Sequence, residues 1–218
     1  MSASNGGVQN MECETFFTTK QKPFPKVTSE GKIETIPFLE AAKGVVALVE
    51  IFGPAFVPVK NDIMGNIQKL RRKYEEDKSR FIYLNDMILA EKDQGEYMAI
   101  GALLWLRRGL ELFYVFFTLV VQQTEAGNAS EDLRPLLQQA YQETLEKYHG
   151  WMSKQLFKLV CQMSPCRKDF MLALALGQEG RESSVISHIS SFVVDLRHNT
   201  GAVYKLYEDN GIDLEAKS

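Results

Sequence analysis

The segment AIGALLWLRRGLELFYVFFTLVV, residues 99–121, is apolar on nearly every side of the helix that its spacing predicts. Its charged side chains are Arg107, Arg108 and Glu111, which interrupt the apolar surface at one place. A helix of this kind must be covered by neighbouring helices on more than one side. Its most apolar run, residues 112–121, is about half as long as a membrane-spanning helix of ~20 residues. The segment therefore predicts the central helix of a two-layer, all-α fold.

Helical periodicity recurs along the rest of the chain. The predicted helices cover residues 36–51, 59–76, 80–92, 97–123, 132–163, 168–176 and 182–209. No comparable stretch alternates with the period of two that a strand requires, and Gly and Pro residues separate the helices. Residues 1–32 show no sustained period, so we expect a flexible N-terminal extension, followed by one domain over residues 33–218.

The composition favours one globular domain and excludes several classes of protein. The chain has 218 residues, 45% of them hydrophobic, which is enough for one sizeable core. Its net charge is −3, so the chain lacks the excess of basic residues that is typical of a nucleic-acid binder. Cys13, Cys161 and Cys166 are too few for a disulfide framework and lack zinc-site spacing. With no secretory signal at its start, the chain is expected to be cytoplasmic. We also expect a monomer without metal or other cofactor.

A polar column borders the apolar stripe of the second predicted helix, in PVKNDIMGNIQKLRR, residues 58–72. At 100° per residue, Asp62, Asn66 and Lys69 fall within an arc of about 60°. The neighbouring apolar arc consists of Ile63, Ile67 and Leu70. Such a border is often only the solvated edge of an amphipathic helix, so the column does not establish a site by itself.

Trp105 lies between two glycines on one face of the central helix, with Gly101 one turn before it and Gly109 one turn after. Glycine inside a helix costs about 1 kcal/mol relative to alanine, so a compensating role is expected. Close helix packing around a core tryptophan is one explanation. The other is that the glycines leave a flat indole platform open, which suits a sugar ring.

His149 and Trp151 occur together in LEKYHGWMSKQLF, residues 145–157. If this segment is one helix, His149 shares a face with three apolar side chains. These are Leu145, Met152 and Leu156. A histidine there is more often a satisfied core residue, but a neutral imidazole can also donate to a buried amide carbonyl. Trp151 points elsewhere, and beside Lys147 and Lys154 it suits a membrane interface or a half-buried site.

Catalysis is weakly supported by these residues. Asp62 and His149 could serve as a base and an acid. No nucleophile motif, phosphate-binding loop or cluster of metal ligands accompanies them. We therefore expect a protein that is not an enzyme, with no catalytic residues.

Five sequence blocks, in order, resemble the glycolipid transfer proteins. They are FLEA (38–41), VKNDIMGNIQK (59–69), LLWLRRGL (103–110), KYHGW (147–151) and SPCRKDF (164–170). The resemblance extends from about residue 34 to about residue 208. It implies a two-layer sandwich of about eight helices that encloses an apolar lipid pocket. It also implies transfer of one glycosphingolipid between membranes, without chemistry on the lipid.

The resemblance also implies roles for individual residues. Asp62, Asn66 and Lys69 would bind the sugar head group, and Asp62 would also reach the ceramide amide. Trp105 would stack on the first sugar. His149 would donate to the ceramide amide carbonyl.

Three further positions match apolar functions of the family. Phe157 and Phe170 would line the apolar pocket for the ceramide chains. Trp151 would contact the membrane. The expected partners are therefore a glycosphingolipid and, transiently, a membrane surface, with no nucleic acid.

The residues around Trp105 favour a sugar over a phosphate. Related ceramide-1-phosphate carriers have arginine at this position and a second basic residue one turn later, where this chain has Gly109. The chain departs from some members of the family by ending in GIDLEAKS rather than in a tyrosine that touches the sugar. A glycosphingolipid sensor or adaptor and a ceramide-1-phosphate carrier remain the alternatives.

Overall fold

The computed structural model describes residues 13–215, which fold as helices joined by short loops. In that range the α-helices are α1 (Phe16–Thr19), α2 (Thr35–Ile51), α3 (Val57–Glu76), α4 (Leu84–Gln94), α5 (Met98–Glu125), α6 (Arg134–Thr144), α7 (Trp151–Gln162), α8 (Arg167–Leu174) and α9 (Glu182–Asp209). Two 3₁₀ turns, Pro54–Phe56 and Glu146–Tyr148, precede α3 and α7. Extended pairing between residues 13 and 215 is confined to one bridge, Glu34 with Tyr83. The prediction of an all-α fold is confirmed.

Helix α5 occupies the centre, where it packs against α3, α4, α6 and α9. Its two arginines, Arg107 and Arg108, are buried as well. Arg107 donates to the Thr200 carbonyl and to Glu111, while the fully buried Arg108 donates to the Leu214 carbonyl at 2.5 Å. Backbone acceptors thus allow the two guanidinium groups to lie inside the fold. No helix within residues 13–215 combines the length and apolarity that crossing a membrane requires.

The prediction of one helix over residues 132–163 is wrong, because the helix is interrupted between α6 and α7. His149 and Gly150 have extended backbone angles, with ψ of 135° and 171°. Gly150 is the N-cap of α7 and accepts a hydrogen bond from the amide of Lys154 at 3.1 Å. Apolar periodicity continues on both sides of this break, so the sequence pattern concealed it. His149 therefore lies in a connection and not on a helical face.

The expectation of a flexible extension does not hold for residues 13–32. Phe16 is 3% exposed and Phe24 is 5% exposed, and the Phe24 ring meets the Phe38 ring edge-on at 5.7 Å. The Gln21 side-chain amide donates to a carbonyl of α2 at 3.0 Å. A side chain at Gly44 would approach within 2.4 Å of the Gln21 amide oxygen, so glycine makes this contact possible. The free energy gained by burying these aromatic rings orders the segment despite its polar composition. Residues 1–12, the rest of the predicted extension, lie outside the described range.

Candidate functional site

A cavity of about 410 Å³ lies between α3, α5 and α7. Its polar wall consists of Asp62, Asn66, Lys69, Trp105, His149 and Ser153. Its apolar wall includes Val59, Ile63, Leu112, Phe113, Leu156 and Phe157. The fold therefore brings together all five residues predicted from the sequence to bind the head group and amide, together with Phe157. A cavity with one polar and one apolar side suits an amphipathic ligand.

The polar column on α3 has the geometry that its spacing predicts. Ile63, Ile67 and Leu70 are buried, at 2%, 1% and 0% exposure, and they hold α3 against α5. Asp62 and Lys69 stand beside this stripe and are exposed. The Asn66 side-chain amide is buried and donates to the backbone carbonyl of Asp62 at 3.0 Å. This bond fixes the amide at the boundary between the apolar stripe and the polar wall.

The Asp62 carboxyl loses part of its hydration in the cavity wall. Although the residue is exposed by area, it lies in a concave wall, where the loss of hydration raises its pKa, and the positive charge of Lys69 partly opposes that shift. Desolvation disfavours the charged form of a carboxyl group. A ligand that donates hydrogen bonds to this carboxylate would replace some of the hydrogen bonds that water no longer makes.

Trp105 is half-buried in the wall beside His149. The two rings are nearly parallel, with centroids 5.7 Å apart and planes 22° apart. The Arg108 guanidinium carbon lies 4.6 Å from the Trp105 ring centroid, a cation–π distance. A cation and an imidazole therefore both lie close to the indole at the edge of the cavity.

The two glycines that flank Trp105 differ in their surroundings. A Cβ at Gly109 would make ordinary contact with Ile63 of α3, at 3.5 Å. A Cβ at Gly101 would have no neighbouring atom within 4 Å among the described residues. Helix packing thus accounts for Gly109, and open space surrounds Gly101.

The imidazole of His149 is held by Tyr141 of α6, whose hydroxyl lies 2.9 Å from His149 Nδ1. Burial, followed by the positive charges of Arg108 and Lys154, lowers the pKa of His149. The ring is therefore neutral at physiological pH, as a single-donor role requires. Sequence reasoning missed Tyr141, because its contact with His149 depends on the interruption between α6 and α7, which helical periodicity did not reveal.

The two predicted pocket phenylalanines differ in position. Phe157 lines the cavity and stacks on Tyr141, with ring centroids 3.9 Å apart. Phe170 is 1% exposed and lies in the packed core rather than in the cavity wall. Phe52 connects the two regions, since its ring centroid lies 6.4 Å from that of Phe113 in the wall and 4.8 Å from that of Phe170. The apolar wall therefore continues into an aromatic core.

Trp151 begins α7 and is 74% exposed. It is part of an exposed apolar surface of α7, which we call the α7 face. The face comprises Trp151, Met152, Leu156, Leu159 and Met163. Leu156 belongs both to this face and to the cavity wall, so the two apolar surfaces are continuous. The sequence indicated only the tryptophan as exposed, because Met152 and Leu156 were assigned with His149 to the apolar stripe of one predicted helix over residues 132–163.

The C-terminal segment lies close to the same polar wall. Arg108 donates to the Leu214 carbonyl, and Lys147 forms an ion pair with Glu215 at 3.3 Å. The C-terminal sequence GIDLEAKS, which departs from some members of the family, is therefore connected to Trp105 through Arg108. Its residues 216–218 lie beyond the described part. No group of three or more His, Cys, Asp and Glu side chains in residues 13–215 is arranged to hold a metal ion.

Comparisons with known proteins identify relatives of this chain. A family model described as glycolipid transfer protein (GLTP) matches residues 33–176. A glycolipid transfer protein of Danio rerio is 32% identical over 200 residues, which cover 89% of this chain and 96% of that protein.

Solved structures show the same arrangement of helices. The GLTP fold of FAPP2, described as selecting simple glycosphingolipids, has a TM-score of 0.82 at 30% identity and covers 94% of this chain and 100% of that one. Mouse ceramide-1-phosphate transfer protein in its apo-form has a TM-score of 0.74 at 21% identity, covering 91% of this chain and 95% of that one. At that identity the second likeness concerns the fold alone.

Proposed function

The chain belongs to the glycolipid transfer protein family, and from this premise we propose that it carries one glycosphingolipid at a time between membranes. The observation that carries the proposal is the cavity in which Asp62, Asn66, Lys69, Trp105 and His149 meet Phe157. One side of that cavity offers hydrogen bonds and the other offers apolar contact. A sugar joined to hydrocarbon requires both.

The sugar binds at the polar wall. Asp62, Asn66 and Lys69 supply a carboxylate, an amide and an ammonium group, which together can accept from and donate to sugar hydroxyls. Trp105 provides the apolar ring surface that the carbon face of a sugar packs against. Trp105 also stands where a phosphate would require charge-assisted donors, so a neutral sugar is favoured over ceramide-1-phosphate.

The ceramide amide and chains bind further inside. His149 donates to the amide carbonyl, and Asp62 accepts from the amide N–H. The chains extend past Phe157 and Phe113 toward Phe170, along the aromatic contacts that connect the cavity to the core. Because Phe170 lies outside the cavity wall, those rings move apart as hydrocarbon enters.

Energetics explain why a carrier is needed and why it needs no catalysis. Each buried methylene is worth about 0.8 kcal/mol, so a lipid with some thirty methylenes gives up roughly 20 kcal/mol on entering water. A protein that replaces the bilayer with its own apolar wall removes most of that cost. No covalent bond has to change, and we expect mass spectrometry to recover the lipid unaltered.

The α7 face docks on the membrane. Trp151, Met152, Leu159 and Met163 are each more than 60% exposed, a cost that insertion at a lipid interface relieves. Leu156 joins this face to the cavity, so a docked protein presents its apolar wall to the bilayer. The protein acts as a monomer in the cytoplasm and docks transiently.

Vesicle transfer tests the proposal. Donor vesicles carry galactosylceramide or ceramide-1-phosphate at equal mole fraction, and arrival in acceptor vesicles is followed at one protein concentration. Galactosylceramide should move faster, and Trp105→Ala should slow it about tenfold or more. The control is Tyr97→Ala, a 72% exposed residue outside the cavity lining. Faster movement of ceramide-1-phosphate, or movement of neither lipid, would contradict the proposal.

A further inference from the structure

We infer that Tyr141 is a positioning residue that places the single proton of His149 on Nε2, and so selects the carbonyl of the ceramide amide as its partner. The inference rests on the carrier function proposed above. Its basis is a side-chain arrangement between α6, the α6–α7 connection and α7. The Tyr141 hydroxyl lies 2.9 Å from His149 Nδ1, and its ring stacks on Phe157 with planes only 10° apart.

The direction of this hydrogen bond follows from the burial of Tyr141, which is 4% exposed. In residues 13–215 the Tyr141 hydroxyl has one hydrogen-bond partner, His149 Nδ1. If the imidazole donated, the hydroxyl proton would lack an acceptor in this part of the chain. A buried O–H without an acceptor is costly, so the hydroxyl donates and Nδ1 accepts.

The protonation states of both groups agree with this direction. Burial, and then the negative charge of Glu146, raise the pKa of Tyr141 to about 12, so the hydroxyl keeps its proton at physiological pH. Burial and nearby positive charges lower the pKa of His149, so the ring is neutral. A neutral imidazole with an unprotonated Nδ1 carries its proton on Nε2.

The tautomer decides what His149 can offer to a ligand. With Nδ1 engaged by Tyr141, Nε2 is the ring nitrogen available to the cavity, and it is a donor. An amide has one donor, the N–H, and one acceptor, the carbonyl, so an Nε2–H group selects the carbonyl. The opposite tautomer would place an acceptor in the cavity and compete with Asp62 for the amide N–H.

The stack and the hydroxyl of Tyr141 contribute separately. Contact with Phe157 fixes the tyrosine ring, and the hydroxyl then fixes the imidazole. Tyr141→Phe keeps the stacked ring and removes only the orienting bond. Both tautomers then become accessible, and we expect the dissociation constant for galactosylceramide to rise about two- to tenfold, the usual worth of one neutral hydrogen bond.

The test begins with the lipid-free protein. Full-length protein labelled with ¹⁵N-histidine is examined by long-range ¹H–¹⁵N NMR, which identifies the protonated ring nitrogen. The wild type should show His149 with its proton on Nε2, and Tyr141→Phe should show a mixture. The matched control is Tyr204→Phe, whose hydroxyl bonds to Glu208 on the outer side of α9. A proton on Nδ1 in the wild type, or an unchanged tautomer in Tyr141→Phe, would overturn the inference.

Binding of galactosylceramide completes the test. Weaker binding by Tyr141→Phe, with unchanged binding by Tyr204→Phe, supports the positioning role. Equal binding by all three proteins, despite a changed tautomer, overturns it. A wild type that has the Nε2 proton but does not bind galactosylceramide would refute the proposed function and not the assignment of the His149 tautomer.

Discussion

Replacing Asp62 with asparagine should weaken glycolipid binding without weakening the fold. The substituted amide would keep the shape of the side chain but convert a charged hydrogen bond to the ligand into a neutral one. Charged hydrogen bonds contribute about 1.5–3 kcal/mol and neutral ones about 0.5–1.5 kcal/mol. The difference, about 1 kcal/mol or slightly more, corresponds to a roughly five- to tenfold loss of affinity for galactosylceramide.

The stability of the lipid-free protein should respond in the opposite direction. The pKa of Asp62 is raised in the folded state, so the folded protein holds the proton more tightly than the unfolded chain does. Ionised Asp62 therefore disfavours folding above its folded-state pKa, and this penalty disappears below its unfolded-state pKa. Asp62→Asn removes the penalty, so the free energy of unfolding at pH 7 should be equal or higher.

Affinity by fluorescence titration and stability by urea unfolding, both at pH 7, separate the two effects. The control is Asp93→Asn, an exposed carboxylate of α4 that lies outside the cavity lining. For Asp62→Val, which removes every hydrogen bond, we expect no measurable binding by a folded protein. Wild-type affinity in either Asp62 variant would refute the assignment of this carboxylate to the head group. A loss of stability in Asp62→Asn would instead refute the folding penalty inferred from its raised pKa.

Other positions give independent tests. Trp151→Ala should slow transfer between vesicles about tenfold or more and leave urea stability unchanged, because the side chain is 74% exposed; equal transfer rates would exclude a docking role. Trp105→Arg should raise transfer of ceramide-1-phosphate relative to galactosylceramide, since a guanidinium binds phosphate; an unchanged ratio of rates would contradict the head-group assignment. Phe24→Ala should lower the free energy of unfolding by about 3–5 kcal/mol in urea, whereas a loss below about 1 kcal/mol would mean that residues 13–32 add little to the core.

The sequence predicted features whose interacting residues are close together along the chain. The column of Asp62, Asn66 and Lys69 needed only the helical period of α3. The coverage of α5 followed from its own apolar surface, and α9 has the bounds that its pattern predicts.

Contacts between distant residues were not predictable in this way. Phe24 packs on Phe38, and the Arg108 guanidinium reaches Leu214, across loops whose paths no local pattern specifies. Tyr141 and His149 are only eight residues apart, yet their bond depends on the break before α7. Resemblance to a family could identify the histidine, because its role depends on residue type, but not the hydrogen bond that sets its tautomer.

Two energetically unfavourable features of the lipid-free protein adjoin the same cavity. Charging Asp62 is disfavoured by its surroundings, and the α7 face exposes Trp151 and Met152 to water. Neither feature stabilises the isolated fold. On an ordinary protein surface a carboxylate is fully hydrated, and large apolar side chains are rarely clustered in contact with water. A glycolipid supplies hydroxyl donors to the first, and a bilayer supplies hydrocarbon to the second. Because Leu156 belongs to both the face and the cavity wall, a single docking event can relieve both costs, which is the energetic requirement for a carrier that loads at a membrane.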